Sequence, residues 1–177
     1  MTRKFLFCFP LRLGNIVFGY IVIIISLAVA AVHLYQLGLS LVSKDEDCER
    51  RFGNFEKLET IFGTQKEDLV TLIVIIYYLT YVIIGLLMFI FSAIFTCGAY
   101  KVNDCAITTF FMYSFVHIFF SIVLIVWEAL TAGWIQLGLI VVSDVFLLVC
   151  LFSVKYLMEA IRSGNIYHRP GEVLDKY

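Results

Sequence analysis

The fold is decided by residues 105–154, which read CAITTFFMYSFVHIFFSIVLIVWEALTAGWIQLGLIVVSDVFLLVCLFSV. Only Glu128 and Asp144 carry a formal charge in this stretch. A helix needs about 20 apolar residues to cross the hydrocarbon of a bilayer, so these residues are too many for one span and fit two. We place the turn between the two spans at residues 131–133, because Gly133 can adopt the left-handed conformation that ends helices.

Two further uncharged stretches precede this one. Leu13 to Ser43 and Leu69 to Tyr100 contain no Asp, Glu, Lys or Arg. The whole chain is 62% hydrophobic and 15% charged, whereas soluble domains average about 45–50% apolar and 25% charged. The sequence therefore predicts an all-α fold, an integral membrane four-helix (tetraspan) bundle whose spans cover about 13–37, 69–98, 106–131 and 134–158.

Composition and motifs also exclude some functions. The 13 Lys and Arg against 14 Asp and Glu give a net charge of −1, so no nucleic-acid partner is expected. The sequence has no Gly-rich phosphate loop, His-Glu-x-x-His, Cys-x-x-Cys or Gly-x-Ser-x-Gly motif, which favours a non-enzymatic protein without cofactor or metal. A cleaved signal peptide is the alternative for the first span, but its apolar run exceeds the usual signal core of about 7–15 residues.

Basic residues predict the orientation. With the N-terminus in the cytoplasm, eight Lys and Arg flank the spans on the inner side and five lie outside among many acids. Both termini are then cytoplasmic, in tails 1–12 and 159–177, and one sizeable outer loop covers 38–68.

The outer loop has the pattern of a short amphipathic helix. Ser43 and Glu46 have the spacing of a capping box, and apolar residues then recur every three to four positions. The helix either lies on the membrane or across the outer ends of the spans, or it contacts a partner protein, in cis or on a neighbouring cell. The residues proposed for this contact are Phe52, Phe55, Leu58, Phe62 and Cys48.

Cysteine positions bear on compartments. Cys48 is the only cysteine on the outer side, so no intrachain disulfide is expected, and we favour a free thiol over an intermolecular bond. Cys8, Cys97 and Cys105 lie at the cytoplasmic membrane edge. They are candidates for S-palmitoylation, with unmodified packing as the alternative.

Ionisable residues inside the bilayer suggest a polar core of Asp144, His117, Glu128 and His33. His117 and Asp144 differ in depth by only about 4.5 Å at a rise of 1.5 Å per residue. They form either a proton or ion site, or glue between helices in which Asp144 bonds a hydroxyl of Ser121, Thr80 or Tyr81. His33 and Glu128 lie near the outer surface, where snorkelling to water accounts for them.

The N-terminal motif Cys8-Phe-Pro-Leu-Arg12-Leu-Gly14-x4-Gly19 carries a family resemblance. It resembles the opening of the arthropod tetraspan family that includes the Pasiflora and Fire exit proteins, and also that of the lysosomal-associated transmembrane proteins. Arg12 and the two glycines suit close helix packing and contact with lipid headgroups. A MARVEL-type tetraspan is a further alternative.

The Pasiflora-like resemblance implies a plasma-membrane protein of lateral septate junctions that helps to form the paracellular barrier of epithelia and glia. Its expected partners are the lipid bilayer and other junction membrane proteins, bound laterally or across cells, with a homo-oligomer as a further expectation. The alternative is a transporter or trafficking adaptor of endosomal or lysosomal membranes, in which Asp144 and His117 form the polar core.

Overall fold

The computed structural model describes residues 4–5, 9–42, 67–131 and 133–163. All four helices in this part of the chain are long and apolar enough to cross a membrane. The predicted all-α tetraspan bundle is therefore confirmed, and each predicted span lies within one helix. The helices are α1 (Leu11–Val42), α2 (Glu67–Lys101), α3 (Asp104–Thr131) and α4 (Trp134–Arg162).

A very short hairpin precedes α1. Its strands β1 (Lys4–Phe5) and β2 (Phe9–Pro10) pair antiparallel, with Lys4 opposite Pro10 and Phe5 opposite Phe9. The predicted amphipathic helix of the outer loop, with its contact residues, lies outside the described residues.

Helices α1 and α2 pack against each other through small residues. A Cβ atom on Gly19 would lie 2.3 Å from Oγ1 of Thr96, and one on Gly85 would lie 3.2 Å from Cβ of Ala30. Small side chains let two backbones approach closely, which is a main source of helix association in a membrane. The glycines of α1 and α2 therefore hold these helices together as a pair.

Aromatic rings fill the half of the bundle that contains the link between α2 and α3. Phe18 of α1, Phe95 of α2 and Phe110 of α3 are almost completely buried. The ring centroids of Phe95 and Phe110 are 4.5 Å apart, and Phe18 meets both rings edge-on at 6.0 and 6.2 Å. Three helices thus share one aromatic core.

Helices α2 and α3 are joined by only Val102 and Asn103. Val102 has a φ of 55°, which is rare for a β-branched residue and reverses the chain direction. The Asn103 side chain then accepts a hydrogen bond from the backbone N–H of Cys105 at 3.0 Å and so caps α3.

Hydrogen bonds and an ion pair join the helices at the end of the bundle that contains the α2–α3 link. We call it the inner end, following the predicted orientation. Arg12 of α1 donates to the carbonyl oxygens of Ala99 at 3.3 Å and Tyr100 at 2.6 Å. Arg162 of α4 pairs with Asp104 of α3 at 2.9 Å. All four helices therefore contribute to contacts at this end, as an up-and-down bundle requires.

The Arg12 contact satisfies carbonyl groups that the end of α2 leaves without helical partners, and a cation is favourable at a helix C-terminus. We expect Arg12→Gln to lower the free energy of unfolding by about 1 kcal/mol, measured by SDS titration in mixed micelles. Arg162→Gln is the matched control, because its ion pair is largely exposed and exposed pairs contribute about 0.5 kcal/mol or less. A larger loss in Arg162→Gln would contradict this account of the inner end.

Candidate functional site

A polar cluster at the outer end of the bundle draws side chains from all four helices. Its centre is Glu128 of α3, which is only 2% exposed. Oε1 of Glu128 accepts hydrogen bonds from the hydroxyl groups of Tyr77 at 2.6 Å and Tyr81 at 2.7 Å, both on α2. A buried carboxylate is costly unless donors surround it, and the two tyrosines supply those donors. We call this group, with Gln136 and His33 described below, the outer cluster.

Gln136 of α4 completes the hydrogen bonding of Glu128. With its amide nitrogen toward the carboxylate, it donates to Oε2 at 3.1 Å and lies 3.2 Å from Oε1. The reverse orientation does not fit, because it would place the amide oxygen against acceptors and the nitrogen against donors. The Gln136 nitrogen therefore faces the carboxylate.

The α3–α4 turn is shaped around Glu128. The turn falls at residues 131–133 as predicted, since α3 ends at Thr131 and α4 begins at Trp134. The predicted left-handed Gly133 is wrong, because its φ is −75° and its ψ is 57°. Glycine is required for space instead: a Cβ atom on Gly133 would lie 2.1 Å from Oε2 of Glu128.

His33 brings α1 to the cluster. Its ring stacks on Tyr81 with centroids 4.4 Å apart and planes 8° apart, and its Nδ1 lies 2.8 Å from the Val29 carbonyl oxygen. A carbonyl oxygen only accepts, so this contact places a proton on Nδ1. Nε2 of His33 is buried without a hydrogen-bond partner, as is Oε1 of Gln36 one turn further along α1.

The snorkelling interpretation of Glu128 is wrong. Its carboxylate does not reach outer water but is enclosed by Tyr77, Tyr81 and Gln136. Sequence reasoning missed the two tyrosines as partners, although Tyr77 and Tyr81 are four residues apart and so share one helix face. Two tyrosines on one helix face, at the same depth as Glu128, are the sequence signal that could have identified them.

No hydrogen bond joins His117 to Asp144 in the structure. Nδ1 of His117 and Oδ1 of Asp144 are both buried without a hydrogen-bond partner. The hydroxyl partners predicted for Asp144 are engaged elsewhere: Ser121 and Thr80 donate to carbonyl oxygens of their own helices, and Tyr81 donates to Glu128. The predicted polar core is therefore two separate groups.

The N-terminal motif residues lie against α2. Arg12 bonds to α2 carbonyl groups rather than projecting toward headgroups, Gly19 touches Thr96 and Phe95 of α2, and Gly14 is buried. Close helix packing is thus the role of Gly19. Cys8 lies outside the described residues.

The remaining predicted site residues divide in two. Cys97 and Cys105 are exposed free thiols near the inner end, as acylation requires; their modification stays a prediction. The described residues contain no cluster of His, Cys, Asp and Glu that could hold a metal ion. The outer-loop residues lie outside the described part, namely Cys48, Phe52, Phe55, Leu58 and Phe62.

The fold and the outer cluster define the class of protein, a four-helix membrane protein with a buried carboxylate at one end. No protein-family model, no curated protein and no solved structure matches the chain.

Proposed function

We propose that the protein is a non-enzymatic four-span membrane protein of the plasma membrane that takes part in septate-junction assembly and in the paracellular barrier of epithelia and glia. The observation that carries the proposal is the use of polar side chains at both ends of the bundle to join helices, with aromatic rings packed between. Such an arrangement supports a role as a scaffold.

The aromatic core supports a scaffold rather than a conduit. A transport path needs polar or hydrated groups along the bundle, because an ion or polar solute in hydrocarbon is costly. Between Asp144 and the inner end, the rings of Phe18, Phe95 and Phe110 occupy the centre of the bundle. Glu128 is in turn committed to bonds between helices.

Helix α3 supplies a face for lateral assembly. In the 18-residue apolar stretch of α3, only 17% is buried inside the bundle, compared with 33–39% for the corresponding stretches of the other three helices. The exposed side chains include the aromatic residues Phe115, Phe119 and Phe120. Junction proteins or a second copy of the chain pack on this face in the proposed assembly.

The assignment to septate junctions rests on the resemblance of the N-terminal motif to the Pasiflora-like proteins. In that assignment, the outer loop makes the contact across cells or with a neighbouring junction protein. Its apolar residues Phe52, Phe55, Leu58 and Phe62, with Cys48, carry the contact.

Deleting residues 45–62 tests the proposal. We expect the tagged wild-type protein to concentrate at lateral junctions in polarised epithelium, imaged with junction and lysosome markers, and the deletion variant to lose this enrichment. Protease protection of both tails controls for unchanged insertion. Wild-type protein absent from junctions would contradict the junctional function, and unchanged enrichment of the deletion variant would contradict the role of the loop.

The same images address a second candidate function, an endosomal or lysosomal transporter or trafficking adaptor. It is favoured by the unpartnered atoms of His117 and Asp144 in the middle of the membrane, since such groups often mark a proton or ion pathway. Wild-type signal confined to acidic vesicles would support it.

A further inference from the structure

We propose that a groove between α2 and α3, which opens to the hydrocarbon of the membrane, binds a sterol whose hydroxyl group bonds to His117. Sterol binding at this place depends on neither of the two functions proposed above. Three features support it: the lining of the groove, its depth in the membrane and the incomplete hydrogen bonding of His117.

The groove has a volume of about 230 Å³ and is lined by eight side chains, four from each helix. Most of them are apolar, and other helices leave several of them uncovered. The lining residues that are 40–51% exposed are Ile83, Leu87, Val116 and Phe120. In a bilayer these side chains meet lipid, so a molecule enters the groove from the hydrocarbon and not from water.

His117 lines the groove and lacks a hydrogen-bond partner within the protein. Its Nδ1 is buried without a partner, and an unpaired polar atom in apolar surroundings costs free energy. The hydroxyl of Thr80, also in the lining, donates to the Ile76 carbonyl oxygen of its own helix instead. The torsion that turns an imidazole ring is broad, so the ring can present this nitrogen to an occupant of the groove.

The depth of the groove limits what the occupant is. His117 lies near the middle of α3, about 20 Å from either end at a rise of 1.5 Å per residue. Charged headgroups do not reach this depth, because charge in hydrocarbon is costly. Acyl chains reach it but carry no hydrogen-bonding group, and a buried water needs two to four polar partners. The occupant is therefore an uncharged lipid with a hydrogen-bonding group of its own.

A hydroxyl group on a rigid body fits the groove best. Neutral imidazole has one donor and one acceptor nitrogen, and a hydroxyl group both donates and accepts, so it suits either tautomer. The body lies between branched aliphatic side chains of α2 and the rings of Tyr113 and Phe120 on α3. Stacking on Phe91, with centroids 4.0 Å apart, fixes the Tyr113 ring. A fused-ring body loses less conformational entropy in such a slot than a flexible chain does, and a sterol combines this body with one hydroxyl group.

Photolabelling in proteoliposomes tests the proposal, with a diazirine-bearing sterol as the probe and unlabelled cholesterol as the competitor. We expect saturable labelling of the groove segments of α2 and α3, and displacement of the probe by cholesterol. His117→Phe keeps a ring without hydrogen-bonding atoms and should weaken cholesterol binding about two- to tenfold. Asp144→Asn is the matched control, because Asp144 does not line the groove, and it should bind as the wild type does. A cholesterol analogue without the hydroxyl group should bind equally to the wild type and to His117→Phe.

Val116→Trp gives a second measurement that does not depend on His117. The indole ring would fill the groove and should abolish the labelling. Val123→Trp is its control: both valines are about half exposed on α3, but Val123 lies two turns further along the helix and outside the groove. Labelling that does not saturate, unchanged cholesterol binding in His117→Phe, or unchanged labelling in Val116→Trp would each overturn the proposal. Labelling by a photoreactive phospholipid that cholesterol does not displace would also overturn it, by assigning the groove to an acyl chain.

Discussion

Gly133→Ala should destabilise the bundle, although it adds a single methyl group. The new Cβ would lie 2.1 Å from Oε2 of Glu128 and 3.3 Å from its Cδ, so the carboxylate must leave its donors or the turn must move. Overpacking of this kind costs about 1–3 kcal/mol, and a buried carboxylate that loses its partners adds to the cost. The free energy of unfolding, measured by SDS titration in mixed micelles, is the test.

Two controls isolate the cause. Gly138→Ala changes a glycine of α4 that has no atom within 4 Å of the position a new methyl group would take, so it should be neutral or stabilising by up to about 1 kcal/mol through helix propensity. In a Glu128→Ala background, Gly133→Ala should cost almost nothing because the clashing atoms are gone. An equal cost in both backgrounds would show that Glu128 is not the reason for Gly133.

The four-helix architecture could be predicted because hydropathy determines it. Leu13 to Ser43 and Leu69 to Tyr100 are uncharged runs long enough to span a bilayer. Residues 105–154, with only Glu128 and Asp144 charged, fit two further spans with a turn at residues 131–133. The turn conformation could not be predicted, since the need for glycine comes from the side chain of Glu128 and not from the backbone. Tertiary contact, rather than local preference, selects the residue.

For the polar residues too, the sequence predicts one feature, their depth in the membrane, but not another, the side chains that surround them. The depth of Glu128 and His33 near the outer surface follows from their positions along the helices. Their surroundings do not, because the rotation of each helix decides whether Glu128 faces water or Tyr77 and Tyr81. For Asp144, depth alone suggested hydroxyl partners that the rotation of α2 and α3 assigns elsewhere.

The rotation of the helices is fixed most strongly by the aromatic core, and Phe95→Ala should therefore be the most damaging single change at the inner half. Phe95 is 0% exposed, stacks on Phe110 and meets Phe18 edge-on. Its ring also lies 3.2 Å from the position of a Cβ on Gly19. Replacing a buried Phe by Ala costs about 3–5 kcal/mol, because the cavity it leaves is only partly filled.

Phe119→Ala on α3 is the matched control, since Phe119 is 66% exposed on the outside of the bundle. It removes the same atoms with little loss of internal packing, so the free energy of unfolding in the same SDS titration should fall by less than about 1 kcal/mol. A loss in Phe95→Ala no greater than in Phe119→Ala would mean that the aromatic core does not hold the helices in register. The outer cluster and the glycine contacts of α1 with α2 would then have to hold the helix rotations on their own.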